Sequence, residues 1–204
     1  LHINHGTSIC YTLALAGCLI AHYNGDSRTA RELLRLLLEQ AQKHSVQLFH
    51  TWARHYAQVI DHGEADLPFK PGQGLIKDIL ITLDSRFVDD QLVLRAETGI
   101  AGWSTAEILR ARAGALLVED DLLNRATAES LLIRALNVAK HQGALAWELR
   151  SATSLAQLWQ RQGRHRQAHT LLAPICNRFT EGHATPDLTK ACRLLDELQT
   201  HALA

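Results

Sequence analysis

The chain has 204 residues and 47% hydrophobic content, enough for one sizeable core or a run of stacked repeats and too much for a disordered segment. Lys+Arg and Asp+Glu both total 21, so no global field gathers nucleic acid or an anionic membrane surface, and direct DNA binding by this segment is not expected. Apolar runs such as 33–38 are broken by charge well before the roughly twenty residues of a membrane span, and the amino end lacks the basic and apolar regions of a secretory signal. Methionine is absent, position 1 included, and we expect a segment of a longer polypeptide. Cys10, Cys18, Cys176 and Cys192 form no C-x-x-C pair and sit in helical, apolar surroundings. Small buried thiols in a reducing cytoplasm are the expectation.

In chain order, residues 8–23 and 28–44 read as two amphipathic helices, with Gly25 to turn between them and Asp26 or Ser27 to cap the second. Ala14, Gly17, Cys18 and Ala21 put small residues on one face of the first; Ala30, Leu34 and Leu37 give the matching ridge. Residues 49–60 place Trp52, Tyr56 and Val59 on one helical face ending at Gly63, and Leu75, Ile76, Ile79, Leu80 and Leu83 form a partner helix. The stretch 64–73 between them carries two prolines and a glycine and reads as an irregular loop. Residues 87–103 fit the hairpin template worst: a short helix over 89–97, then a break at Gly99 and Gly102. A third hairpin covers 105–139, with Gly114 at its crossing, Ala128, Leu132 and Ala135 on its second helix, and a lengthened turn over 118–127. Over 147–179 the first template returns, with Gly163, Ala168, Leu172 and Ile175 in the places of Gly25, Ala30, Leu34 and Leu37, and Ala152, Leu155, Ala156 and Trp159 on the first-helix face. The last stretch, 185–203, opens with Thr-Pro-Asp and runs as an amphipathic helix through Leu188, Ala191, Leu194, Leu195 and Leu198.

Small residues where helices touch and larger apolar ones between pairs is tetratricopeptide logic. The expectation is an all-α chain of tetratricopeptide-like hairpins over about 8–45, 47–86, 104–141 and 145–181, with an irregular connection at 87–103 and a capping helix at 185–203. Wound together over 1–204 they form one domain, a right-handed superhelical solenoid.

Catalytic constellations do not emerge. The chain has no G-x-S-x-G, no G-x-x-x-x-G-K-[ST], no H-E-x-x-H and no G-x-G-x-x-G, so no enzyme and no cofactor are expected. His165 and His169 share a helical face but lack an evident third ligand, and His50, His55 and His62 follow no consistent face, so no metal is expected. The acidic pairs Asp89/Asp90 and Asp120/Asp121 read as helix caps and solubilising charge. The polar lining of the first helix of each hairpin is more informative, because in such superhelices that face borders the concave groove. His50, Trp52 and Arg54, then Glu107, Arg110 and Arg112, then Trp147, Glu148 and Arg150 are the groove candidates. Arg supplies a planar donor fork and Trp a rigid anchor for a partner or ligand. The competing reading puts Trp52 and Trp147 in the core and the arginines on a solvated face.

AEILRARAGALL (106–117), ALAWELRSATSLAQLWQRQGR (144–164), LLAPICNRFTEG (171–182) and TPDLTKACRLLDEL (185–198) together resemble the carboxyl-terminal tetratricopeptide-like region of large bacterial multidomain regulators. In that family the region follows an AAA/NB-ARC-type ATPase module, itself preceded by a winged-helix DNA-binding domain or an adenylate/guanylate cyclase domain. The resemblance implies a cytoplasmic, non-catalytic sensor whose partner is another protein or a neighbouring domain of the same polypeptide, or a small-molecule effector, with a winged-helix regulator preferred to a cyclase. A ligand-binding superhelix and a structural, homodimerising module are the alternatives.

Overall fold

The computed structural model describes residues 5–61, 74–118 and 121–202, which are all-α, with no strand among them. The expected loop at 64–73 lies outside the described residues, as do Gly63 and His62. The chain divides into two compact units, 1–84 and 85–204. The division falls beside the stretch 87–103 that fits the hairpin template worst.

One turn geometry recurs in both units. After α2 (Cys18–Tyr23), the Gly25 N–H donates to the His22 carbonyl and the Asp26 N–H to the Ala21 carbonyl, both at 2.9 Å, with Gly25 at φ 74°. This paired closure satisfies two orphan carbonyls of the helix end and requires the left-handed backbone that glycine adopts most cheaply. It returns at Gly143 and Gly163, where the next residue's N–H reaches Ala139 and Trp159 respectively, and at Gly99, where Ile100 reaches Arg95. A fifth copy ends α3 (Ser27–Lys43): Ser45 donates to Gln42 and Val46 to Ala41, but the left-handed residue, at φ 55°, is Ser45.

In the first unit the segment expected over 8–23 is an interrupted helix: α1 (Gly6–Thr12), a π turn (Leu13–Gly17) and α2. Cys10, Leu13, Ala14, Cys18 and Ala21 are buried and the segment packs on α3, whose Ala30, Leu34 and Leu37 are buried as expected. A Cβ at Gly17 would lie 3.3 Å from Leu33, so this glycine permits close helix approach. Within the π turn the Cys18 N–H donates five residues back, to Leu13, rather than to Ala14. The Ala14 carbonyl instead accepts the hydroxyl of Tyr56 at 2.8 Å. Tyr56 is fully buried on α4 (Gln47–Ile60), so this bond ties α4 to the interruption itself. On α5 (Gly74–Leu83), Thr82 donates its hydroxyl proton to the Ile79 carbonyl, so the 2.6 Å contact between Tyr23 and Thr82 has Tyr23 as donor. Leu75, expected on the packing face of α5, is exposed, and Ile81 is buried. By length and composition Gly6–Tyr23 is also apolar enough to cross a membrane, which the charge-broken runs did not lead us to expect. Its buried side packs on α3 while Tyr11 and Ile20 are exposed.

The second unit begins with a 3-10 turn (Ser85–Phe87) and α6 (Asp90–Glu97), capped by the Asp89 carboxylate, which accepts from Leu92 N–H at 2.8 Å. A further 3-10 turn (Gly102–Ser104) leads into α7 (Thr105–Leu116), followed by α8 (Leu122–His141), α9 (Leu145–Arg161), α10 (His165–Cys176) and α11 (Pro186–Ala202). Consecutive helices pack on one another, and α9 also packs on α7 before it and α11 after it. Thus α7, α9 and α11 lie side by side. Fully buried Ala106, Ala128, Ala135, Ala139, Ala152, Ala156 and Ala168 let these backbones approach. Two expectations are corrected here. Gly114 is not at a crossing: it is exposed, a Cβ on it would meet nothing within 4 Å, and buried Ala111 and Ala113 carry the contact. The turn expected over 118–127 is shorter, because α8 starts at Leu122; Leu122 and Leu123, 77% and 73% exposed, extend the helix without packing it.

Three substitutions check these assignments. Tyr56→Phe leaves the Ala14 carbonyl unpaired and lowers stability by about 1–2 kcal/mol in urea unfolding, with the denaturant slope unchanged. At the recurring turn, Ser45→Gly raises stability by about 0.5 kcal/mol and Gly163→Ala lowers it by about 1 kcal/mol, opposite signs from one backbone conformation.

Candidate functional site

The side-by-side packing of α7, α9 and α11 brings polar residues from three separate stretches onto one surface. Helical spacing sets which ones. On α9, positions 150, 153, 154, 157, 160 and 161 recur at three and four residues and share a face, as do 186, 189, 190, 193 and 197 on α11. Beneath that surface the carboxylate of Glu107, with no exposed side-chain area, accepts two bonds from the Arg110 guanidinium, each 2.9 Å. Arg150 reaches across from α9 to the same carboxylate at 2.8 Å and turns its Nε to Asp187 of α11 at 2.7 Å. Burial pulls the Arg150 guanidinium down, but Glu107 and Asp187 outweigh it and hold it above its ordinary value. One buried carboxylate therefore connects α7 to α9, and Arg150 carries the connection to α11.

Above this network three cavities meet. One of about 470 Å³ lies between α9 and α11, with Gln157, Gln160, Thr189, Lys190, Arg193 and Glu197 among its walls. A second, about 270 Å³, lies between α7 and α9 and includes Arg110, Ser154, Gln157 and Arg161; a third, about 130 Å³, adds Arg150, Thr153 and Asp187. Arg110 and Ser154 line both of the smaller cavities, Lys190 joins the first to the third, and Gln157 joins the first to the second. The result is one groove running along α9.

The groove candidates named from sequence divide by position. Arg110 and Arg150 line the groove, and Glu107 anchors both from below. Arg112, two residues past Arg110 and half-buried, lines none of the three cavities described. Glu148 is buried and accepts from Arg178 at 2.6 Å, pinning the segment after α10 to α9. Half-buried Trp147 carries the Arg150 guanidinium 5.3 Å from its ring centre. Trp52, 5% exposed, meets Phe49 edge-on in the core of the first unit; on the same helix His50 is half-buried and Arg54 exposed.

Sequence reasoning missed Lys190, Arg193, Gln157 and Arg161, because 185–203 was weighed only as an end cap and α9 only by its apolar face. The periodicity of their polar positions was the available signal. A second polar knot, away from these cavities, joins α8 to α9: Glu129 accepts from Trp159 Nε1 at 2.7 Å and from Arg164 at 2.8 Å, with Arg164 stacked 4.6 Å over the Trp159 ring. Burial pushes the Glu129 carboxyl up, and these bonds outweigh it and hold it below its ordinary value. Among the described residues no group of three or more His, Cys, Asp or Glu side chains could hold a metal ion. Cys10, Cys18 and Cys176 are buried, and burial raises the Cys18 and Cys176 thiols to about 11. Exposed Cys192 lies near enough to push the Cys176 thiol further up, a proximity that the 16-residue gap did not suggest.

No protein-family model, no curated protein and no solved structure matches this chain.

Glu107→Ala strands Arg110 and Arg150 beside an uncompensated site and costs about 3 kcal/mol of unfolding free energy by urea titration. By contrast Arg28→Ala, which breaks an exposed pair with Glu32, changes stability by under about 0.5 kcal/mol.

Proposed function

We propose that this chain is a non-catalytic sensor and protein-interaction domain of a bacterial signalling or transcriptional regulator. Its helices act as tetratricopeptide-like hairpins of a right-handed superhelical solenoid, closed at the carboxyl end by α11. In this reading the groove along α9 receives a partner segment or ligand and biases an ATPase and output domain encoded upstream in the same cytoplasmic polypeptide. The observation that carries the proposal is the groove itself: polar side chains of α7, α9 and α11 converge on open cavities above an ion network already satisfied from below. Its arginines at 110 and 150 are committed to carboxylates. The recurring left-handed turns at Gly25, Gly143 and Gly163 support the hairpin repeat, and the WELR and RFTEG runs support the regulator family.

A structural, dimerising module is the second reading. Val118, Leu122 and Leu123, 83%, 77% and 73% exposed, are large apolar side chains left uncovered near the α7–α8 turn and favour it.

The purified 204-residue chain is predicted to bind neither ATP nor duplex DNA in equilibrium dialysis. Deleting the segment from its parent polypeptide is predicted to change the parent's ATPase rate or its response to signal. Saturable ATP binding by the chain alone, or an unchanged parent after deletion, contradicts the proposal.

A further inference from the structure

We propose that the groove along α9 takes an extended peptide segment carrying several carboxylates. This deepens the binding reading above and rests on it. The chain as a whole is neutral, yet the groove walls present Arg110, Arg150, Arg161, Lys190 and Arg193 against Asp187 and Glu197. Arg110 and Arg150 are engaged by Glu107 and Asp187, while Glu197 accepts from Gln160 at 3.0 Å. That leaves an excess of positive charge at the rim. Among the described residues no hydrogen bond or ion pair engages the side chains of Arg161, Lys190 or Arg193, all three exposed. The Lys190 ammonium, exposed yet partly desolvated, feels this excess: the desolvation, then Arg110, push it below its ordinary value, Asp187 opposes them, and Arg150 and Arg161 add to the push. A ligand carboxylate at this spot relieves the repulsion and gains charge-assisted bonds.

The shape of the groove selects among anions. From Arg150 to Arg161 the groove face of α9 rises about 16 Å, at about 1.5 Å per residue. An extended chain covers that length with about five residues, at about 3.3 Å each. Between the two arginines stand Thr153, Ser154, Gln157 and Gln160, uncharged hydrogen-bonding side chains suited to successive peptide groups. A small free anion would fill only one of the three connected cavities. Among the described residues no aromatic side chain lines any of them, so they offer a nucleic acid strand no stacking platform.

The test measures fluorescence anisotropy of the full 204-residue chain with a labelled peptide of about six residues, rich in Asp and Glu. Its all-amide counterpart serves as control, and inorganic phosphate and a single-stranded oligonucleotide as competitors. Saturable binding is expected that weakens as salt rises and drops at least about tenfold in Lys190→Glu and in Arg193→Glu. Arg134→Glu, an exposed reversal on α8, is expected to leave it within about twofold. Both groove substitutions are of exposed residues, and unchanged circular dichroism and melting confirm that the variants fold. Any of four results overturns the proposal: no saturable binding up to about 1 mM, equal affinity for the amide peptide, indifference to both groove reversals, or displacement by phosphate or oligonucleotide at lower concentration than by unlabelled peptide. A chain that binds neither ATP nor this peptide loses the acidic ligand and keeps the sensor reading.

Discussion

The second unit depends on the burial of one negative charge. Glu107 has no exposed side-chain area, and a carboxylate taken out of water without compensation costs several kcal/mol. Compensation comes from two arginines, Arg110 one turn along its own helix and Arg150 on the neighbouring helix. Arg150 satisfies Asp187 as well. Register among α7, α9 and α11 is therefore set by donors and acceptors that must meet, in addition to the alanine-lined contacts that let the backbones come close. Apolar packing tolerates sliding and repacking; a buried, multiply bonded carboxylate does not.

The same network explains why the surface above it suits binding. Its floor is rigid, because the arginine forks are held from below, and its rim is loose, because Arg161, Lys190 and Arg193 are exposed and pair with none of the described residues. A preorganised floor lowers the ordering cost of association, and a rim of one sign steers a ligand of the other. In the first unit two of the polar joints are neutral hydroxyl bonds. The Tyr56 hydroxyl fills a place opened by a π turn and Tyr23 caps Thr82, joints that fix α4 and α5 without gathering charge. His50, Trp52 and Arg54 sit there on one helix, and Trp52 belongs to its aromatic core.

Much of the fold was legible because it is carried by local chemistry. Gly25 and Gly163, Asp26 and Asp89, and Pro186 mark helix ends through backbone conformation and capping, which act within a few residues. Apolar residues at helical spacing marked the packing faces, with Gly114 and Leu75 among the exceptions. The turn after α3 was less legible: its left-handed residue is Ser45, whose strain the surrounding hydrogen bonds hold in place. The π turn gave no signal, since Leu13–Gly17 reads as ordinary helix. For the groove, composition pointed to arginines on α7 and α9, yet pairings such as Arg150 with Glu107 and Asp187 span 43 and 37 residues. They follow from how the helices stack, and no local pattern encodes them. Lys190 and Arg193 escaped notice for the same reason, belonging to a helix understood first as a cover for apolar surface.

That α7, α9 and α11 together form the binding face is tested most directly by chemical-shift mapping. The isotope-labelled chain is titrated with an Asp- and Glu-rich peptide and the perturbed backbone amides are placed on the helices. The predicted result is a cluster at Arg110 of α7, at Ser154, Gln157 and Arg161 of α9 and at Lys190 and Arg193 of α11. Perturbations centred away from these cavities, around Ile133 and Arg134 of α8, or no perturbation at saturating peptide, would contradict it.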